Sequence, residues 1–245
     1  MFTDLEDEEF AQYHGLKPIE GSAKAEMMAE SEVESDQTYT YTLVDWVAAN
    51  RVGAIRNQGN CGSCWAFSAA TVVESAKAIK YNTAATYLST QQLVDCNTAN
   101  GGCNGGWFSG ALDFVKTTGL YADTAYAYTA VKGTCKAIAS PNVATKITGY
   151  NWCQRSGSTS DCTDAKIHAM LKNGPVSVVV DAYAIMSYKT GIFYPTTATT
   201  CSSINHAVVL VGYGYDTTLK VNFWYVRNSW STGWGAAGYF KVKDV

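Results

Sequence analysis

Apolar residues recur at three- and four-residue steps between Cys64 and Tyr81: Trp65, Ala69, Val72, Val73, Ala76 and Ile79 form one stripe. That spacing predicts an amphipathic helix over 64–81. A second helix is predicted over 89–96 (STQQLVDC), with Ser89 or Thr90 as the cap and Gln92 in the first turn. A third lies in 106–119 (GWFSGALDFVKTTG) and ends at Gly119. A fourth, in 162–174 (CTDAKIHAMLKNG), is capped by Thr163 and stopped by Gly174-Pro175. After Pro175 the period changes. VSVVVDA, AVVLVGYG, NFWYVRNSW and GYFKVK are short β-rich runs separated by turn residues, and they predict strands. Helices first and strands second predict an α+β fold, a helical lobe packed on a β lobe with a cleft between them.

The first 38 residues stand apart. Eleven carboxylates against two lysines give them a net charge of −9, while the rest of the chain carries +6. Residues 4–15 read as a short helix ending at Gly15, and 21–37 are polar and linker-like. A compositional break falls at TYTYTLVDW, residues 38–46. We therefore expect a leader over 1–38 and one two-lobed domain over 39–245; by composition the acidic leader reads first as a solvated, disordered tail, and alternatively as a detachable segment that complements the basic body. The positive charge is spread without Lys/Arg clusters, which argues against a nucleic-acid partner. No apolar run approaches the ~20 residues of a membrane span. Eight cysteines suggest an oxidising compartment, although MFTDLEDEEF lacks the features of a signal peptide.

The densest chemistry is QGNCGSCWAFS, residues 58–68. Its CxxC admits three readings. Cys61, Cys64, Cys96 and Cys103 could bind zinc, but the spacings fit common zinc modules poorly. A redox pair is the second reading, but the surrounding βαβ pattern is missing. In the third, Cys61 joins a disulfide and Cys64 stays reduced at a helix N-terminus, where the positive end of the dipole favours the nucleophilic thiolate. A histidine beside it would strengthen that effect. His14 lies in the leader and His168 reads as a surface or packing residue, whereas His206 opens the strand HAVVLVGYG. By residue type alone, a histidine at a strand start is more often structural. Chemistry favours the third reading.

QGNCGSCWAFS resembles the active-site signature of the papain-like cysteine proteases. VDW (44–46), GGCNGG (101–106), NHAVVLVGYG (from Asn205) and NSWSTGWGAAGY (from Asn228) follow in that family's order, so the resemblance covers roughly residues 40–245. It implies the papain-like two-lobed fold, with an antiparallel, barrel-like β lobe. Cys64 matches the nucleophile and His206 the general base and acid, 142 residues further on. Asn228 matches the residue that orients the imidazole, and Gln58 the side-chain donor of the oxyanion hole, with the Cys64 N–H as the second donor. Trp230 resembles the tryptophan that shields the His–Asn hydrogen bond. Gly105 and Gly106 resemble the strip that pairs with substrate backbone. Trp107, Val179 and Ala207 match positions lining the specificity pocket. All three are apolar, so a bulky apolar residue is expected one position before the one acylated.

The resemblance also implies disulfides Cys61–Cys103 and Cys96–Cys135. Cys153–Cys162 is expected as the third, leaving Cys201 as a spare thiol. FTDLEDEEF resembles the end of an inhibitory propeptide, so 1–38 is expected to be a propeptide remnant cleaved near 37–41. The C-terminus is expected to stop short of the family's usual end. The separation of 39 positions from Cys64 to Cys103 leaves no room for a dipeptidase-type occluding insertion. The implied function is cysteine endopeptidase action on peptide or protein substrates in a lysosome, a digestive vacuole or the extracellular space. Cystatin-like inhibitors are expected partners, and the chain is expected to be a monomer needing neither metal nor cofactor. The alternative is a non-catalytic protein that kept the fold.

Overall fold

The computed structural model describes residues 43–136, 143–153, 162–195 and 204–244. Its centre is helix α1, Cys64–Tyr81. From Cys64 to Thr71 every residue is buried, so the helix shows no exposed face in its first two turns. It has a neighbour on each side. Trp65, Ala66, Ala69 and Val73 pack in one core with Leu88, Leu93, Leu112 and Leu120. Val72 packs against Val52, Val209 and Val211 in another. Towards the C-terminal end Ala76 is exposed and Ala78 is buried. The predicted stripe therefore ends a turn early, and the inward position passes to Ala78.

The other predicted helices form as α2 (Thr90–Cys96), α3 (Phe108–Thr117) and α4 (Asp164–Asn173). Ser89 is the cap of α2: its side chain accepts the Gln92 N–H at 2.9 Å. Thr163 caps α4 through the Lys166 N–H at 3.2 Å. A one-turn helix α5, Ala182–Ile185, was not anticipated; four residues are too few to show a period.

The strands are β1 (Val44–Asp45), β2 (Leu120–Tyr121), β3 (Val143–Thr145), β4 (Val176–Val180), β5 (Ile192–Phe193), β6 (His206–Asp216), β7 (Val221–Arg227) and β8 (Tyr239–Lys243). The four β-rich runs of the sequence become β4, β6, β7 and β8. They share a six-stranded sheet with β1 and β5, in the order β1-β6-β7-β8-β5 with β4 also paired to β6. All pairs in it are antiparallel except β5 with β8, and the path stays open among the described residues. The sheet's own core gathers Val208, Leu210, Val226, Trp230, Trp234 and Phe240. The fold is α+β. In β6, Val209 and Val211 share a core with Val72 of α1, and Val208 and Leu210 belong to the sheet's own core. That period of two makes β6 the boundary between the halves.

Disulfides join Cys61 to Cys103, Cys96 to Cys135 and Cys153 to Cys162; among the described residues Cys64 is the cysteine outside a disulfide. The expectations for the leader 1–38, its cleavage near 37–41, and Cys201 lie outside the described residues. No helix among the described residues is long and apolar enough to cross a membrane.

His168 of α4 is a packing residue. It is 4% exposed, and its ring centroid lies 4.1 Å from Tyr213 and 4.2 Å from Trp224. Its Nε2 is 4.0 Å from Asp244 Oδ2. The Asp244 carboxylate in turn accepts from Tyr213 Oη at 2.8 Å and Trp224 Nε1 at 3.0 Å. Burial pushes the imidazole below its ordinary value of 6.5; Asp244 opposes this and Lys172 adds to it. The folded chain then binds this proton more weakly than the unfolded chain. The stability tied to a neutral His168 is complete above about 6.5 and is lost as pH falls through the lowered value. Melting temperature measured against pH should fall on the acid side, and His168→Leu should flatten that fall. An unchanged slope in the variant would show that other groups cause it.

Candidate active site

Cys64 is the first residue of α1 and is fully buried. No acidic side chain sits in the first turn, and Ser63, at the N-cap position, makes no side-chain capping bond. The positive end of the helix dipole is thus not offset by a local carboxylate. Cys64 packs against Ala207 of β6, with Trp107, Phe108, Val179 and Ile204 around the pair. Ala207 and Val179 are direct cross-strand neighbours. The three residues expected to line the specificity pocket are therefore brought together next to Cys64. Phe108 and Ile204 complete the group; lone apolar residues carry no signal in sequence, and these were missed.

His206, adjacent to Ala207, opens β6 and is fully buried. Its Nε2 lies 2.8 Å from Asn228 Oδ1. That oxygen can only accept, so Nε2 carries a proton and Nδ1 is the second ring nitrogen. The Ser229 N–H also donates to Asn228 Oδ1 at 2.8 Å, which fixes the orientation of the amide. Trp230 stacks on the imidazole, with centroids 4.5 Å apart and planes 25° apart, and is 1% exposed. Its face covers the ring and its surface is closed to solvent.

Gln58 is fully buried. Its Oε1 accepts from Ser229 Oγ at 2.6 Å, and its N–H donates to Ser229 O at 2.8 Å. Its Nε2 donates to Cys61 O at 3.0 Å; an amide nitrogen has two hydrogens, so a second donation is compatible with this one. The Ser63 N–H donates to the same Cys61 carbonyl at 2.7 Å. Cys61 is tied to Cys103, so the loop between Gln58 and Cys64 is closed by covalent and hydrogen bonds. Ser229 and Tyr128, which hold this loop, were not identified from sequence, where isolated hydroxyl residues look alike.

The glycine strip is held by Asn100. Its Oδ1 accepts the Trp107 N–H at 2.7 Å, and its Nδ2 donates to Trp107 O at 3.2 Å. Gly105 has φ +101°, in the region that favours glycine. A Cβ at Gly106 would sit 2.5 Å from Asn100 Oδ1. Gly106→Ala should therefore displace Asn100, at a cost of about 1–3 kcal/mol, read as a lower urea midpoint. In an Asn100→Gly background the same substitution should cost much less, and equal costs in both backgrounds would dismiss the clash.

Three comparisons bear on this geometry. The papain family cysteine protease profile matches residues 40–245. The chain is 37% identical to ananain of Ananas comosus, across all of this chain and 68% of that protein. It is 36% identical to a cathepsin L-like proteinase of Phaedon cochleariae, across 98% of this chain and 71% of that one. Among solved structures it resembles digestive procathepsin L2 from the larval midgut of Tenebrio molitor. The TM-score is 0.81 at 33% identity, over 99% of this chain and 76% of that one. It also resembles bromelain from Ananas comosus in complex with E64, with a TM-score of 0.71 at 36% identity over 83% and 90%. A reduced cysteine at a helix start, a histidine held by an asparagine and these likenesses agree: the chain belongs to the papain family and is a cysteine protease.

Proposed function

We propose that Cys64 is the nucleophile and His206 the general base and acid of an endopeptidase, with Asn228 orienting the ring and Gln58 stabilising the oxyanion. The observation that carries this is the fixed His206 ring, bonded through Nε2 to Asn228, stacked on Trp230, and adjacent to the residue against which Cys64 packs. The Cys64 thiol gives its proton to His206, and the thiolate attacks the peptide carbonyl. The carbonyl oxygen becomes an oxyanion, held by Gln58 Nε2 and the Cys64 N–H. His206 protonates the departing amine as the C–N bond breaks, leaving a thioester. It then takes a proton from water, which attacks the thioester and releases the acid. Gly105 and Gly106 offer main chain to an extended substrate. The apolar group of Trp107, Val179 and Ala207 favours a bulky apolar side chain one position before the acylated residue.

The leader fits the role of propeptide sequence. The likeness to a procathepsin runs over 99% of this chain. Catalysis then follows removal of the leader in an acidic digestive, lysosome-like or extracellular setting, where cystatin-like proteins would be its inhibitors and the monomer its working form.

Covalent labelling of the processed protein by an epoxide inhibitor, mapped by mass spectrometry, tests the assignment. Label should appear on Cys64 and be lost in His206→Ala. Gln58→Ala should lower kcat by about 10²–10³-fold. A folded protein whose Cys64 takes no label would favour the non-catalytic alternative. Profiling with a peptide library tests the pocket, and a strong preference for arginine at the position before the acylated residue would sink that part.

A further inference from the structure

Tyr128 lies outside the catalytic signature, on the chain that follows β2, yet its hydroxyl reaches both sides of the loop before α1. It donates to Gln58 O at 2.8 Å. It also lies 2.6 Å from Ser63 Oγ. A phenol has one proton, so a hydroxyl that donates to Gln58 O accepts from Ser63, whose single proton faces the nearer Tyr128 oxygen at 2.6 Å and the more distant Cys61 O at 3.3 Å. Gln58 carries the proposed side-chain donor of the oxyanion hole, and Ser63 directly precedes Cys64, whose N–H is the proposed second donor. One oxygen atom thus bridges the two stretches of backbone on which the two donors ride. The ring is fixed as well, meeting Phe67 of α1 edge-on at 4.8 Å and 81°. Burial pushes the hydroxyl's pKa up to about 12, so the bridge keeps its proton at any pH at which the enzyme works.

We propose that Tyr128 is a positioning residue for the oxyanion hole: its hydroxyl sets the separation of the Gln58 and Cys64 donors. The inference rests on the proposed roles of those two residues. Oxyanion stabilisation depends on donors placed in advance at the position the charged oxygen will occupy. Looseness between the donors is therefore felt when charge develops on that oxygen, and not when substrate binds or when the thiol ionises.

The test separates these stages. In Tyr128→Phe the ring and its packing remain and the bridge is lost. For a peptide amide substrate, kcat should fall about tenfold, the size of one hydrogen bond, with KM unchanged. Affinity for a peptide aldehyde, whose adduct with Cys64 carries the same oxygen, should fall by a similar factor. Alkylation of Cys64 by iodoacetamide forms no oxyanion and should keep its wild-type rate. Ser63→Ala should produce the same pattern, and the double variant should lose little more than either single one, because both act through one bridge. Parallel loss of alkylation and turnover would assign Tyr128 a merely structural role and overturn the proposal, as would full activity in Tyr128→Phe or additive losses in the double variant. A wild-type protein that is alkylated at Cys64 but binds no aldehyde and hydrolyses no peptide would overturn the endopeptidase reading itself.

Discussion

The burial of α1 between two cores is the constraint on which the site depends. A helix packed on one side has a free face and can shift to suit its neighbour. The first two turns of α1 have no such face. One side belongs to the helical core and another to the β6 core, and close packing on both leaves little room for rotation or sliding. Hydrogen bonds add register to the packing. Ser68 Oγ donates to Val208 O at 3.0 Å, and Arg227 Nη1 donates to Thr71 Oγ1 at 2.6 Å. Cys64 sits one turn before Ser68, and His206 two residues before Val208. The placing of thiol relative to imidazole is thus set by the contacts that fold the domain.

Buried charge reinforces this junction at a cost. Glu74, on the same helix, is 1% exposed and pairs with Arg56 at 2.9 Å. Burial raises its carboxyl above the ordinary range; Arg56 opposes this most strongly, followed by the Leu88 N–H and Arg227. Burial lowers Arg227 and Glu74 opposes that in turn. Apolar residues of the same shape would give equal or greater stability, since desolvation absorbs much of the attraction of a buried pair. What the charges add is direction. Arg56 also donates to Leu88 O, and Arg227 to Ala54 O, so the network fixes backbone from three stretches of chain against one face of α1.

Much of this was legible in the sequence, for reasons that can be stated. The helices appeared because their periods are long enough to read and because Ser89, Thr163 and Gly174-Pro175 mark their ends. The strands β4, β6, β7 and β8 appeared as β-branched runs, and the candidate dyad through a signature that leaves little to chance. What stayed hidden is either short or relational. Neither two-residue β1 nor one-turn α5 has a period. Nothing local marks Tyr128 or Ser229, because each acts through a hydrogen bond to a group far along the chain, and Asn100 acts on the main chain of Trp107 across a turn that has no period. The stripe on α1 pointed to one buried face, and a helix shared between two cores buries its polar residues as well; Ser68, Thr71, Glu74 and Ser75 are all inside. Hydropathy cannot anticipate that.

The segment Asn228–Trp230 shows why the two arms of the site are linked. Asn228 holds the imidazole, Ser229 holds the Gln58 side chain through its hydroxyl and the Gln58 backbone through its carbonyl, and Trp230 covers the imidazole face. Gln58 belongs to the loop before α1, whereas His206 belongs to the sheet. Three consecutive residues therefore fasten the proposed oxyanion donor and the proposed base to one piece of backbone. That backbone is itself held, by the Asn228 N–H on Gly238 O at 3.0 Å and by the bridge between Asn57 and Trp230. A displacement of this segment would move donor and base together and preserve their spacing. Displacement of the loop that leads into Cys64 would not. The precision of the site thus rests on the loop side, where the Cys61–Cys103 disulfide and the Tyr128 hydroxyl are found.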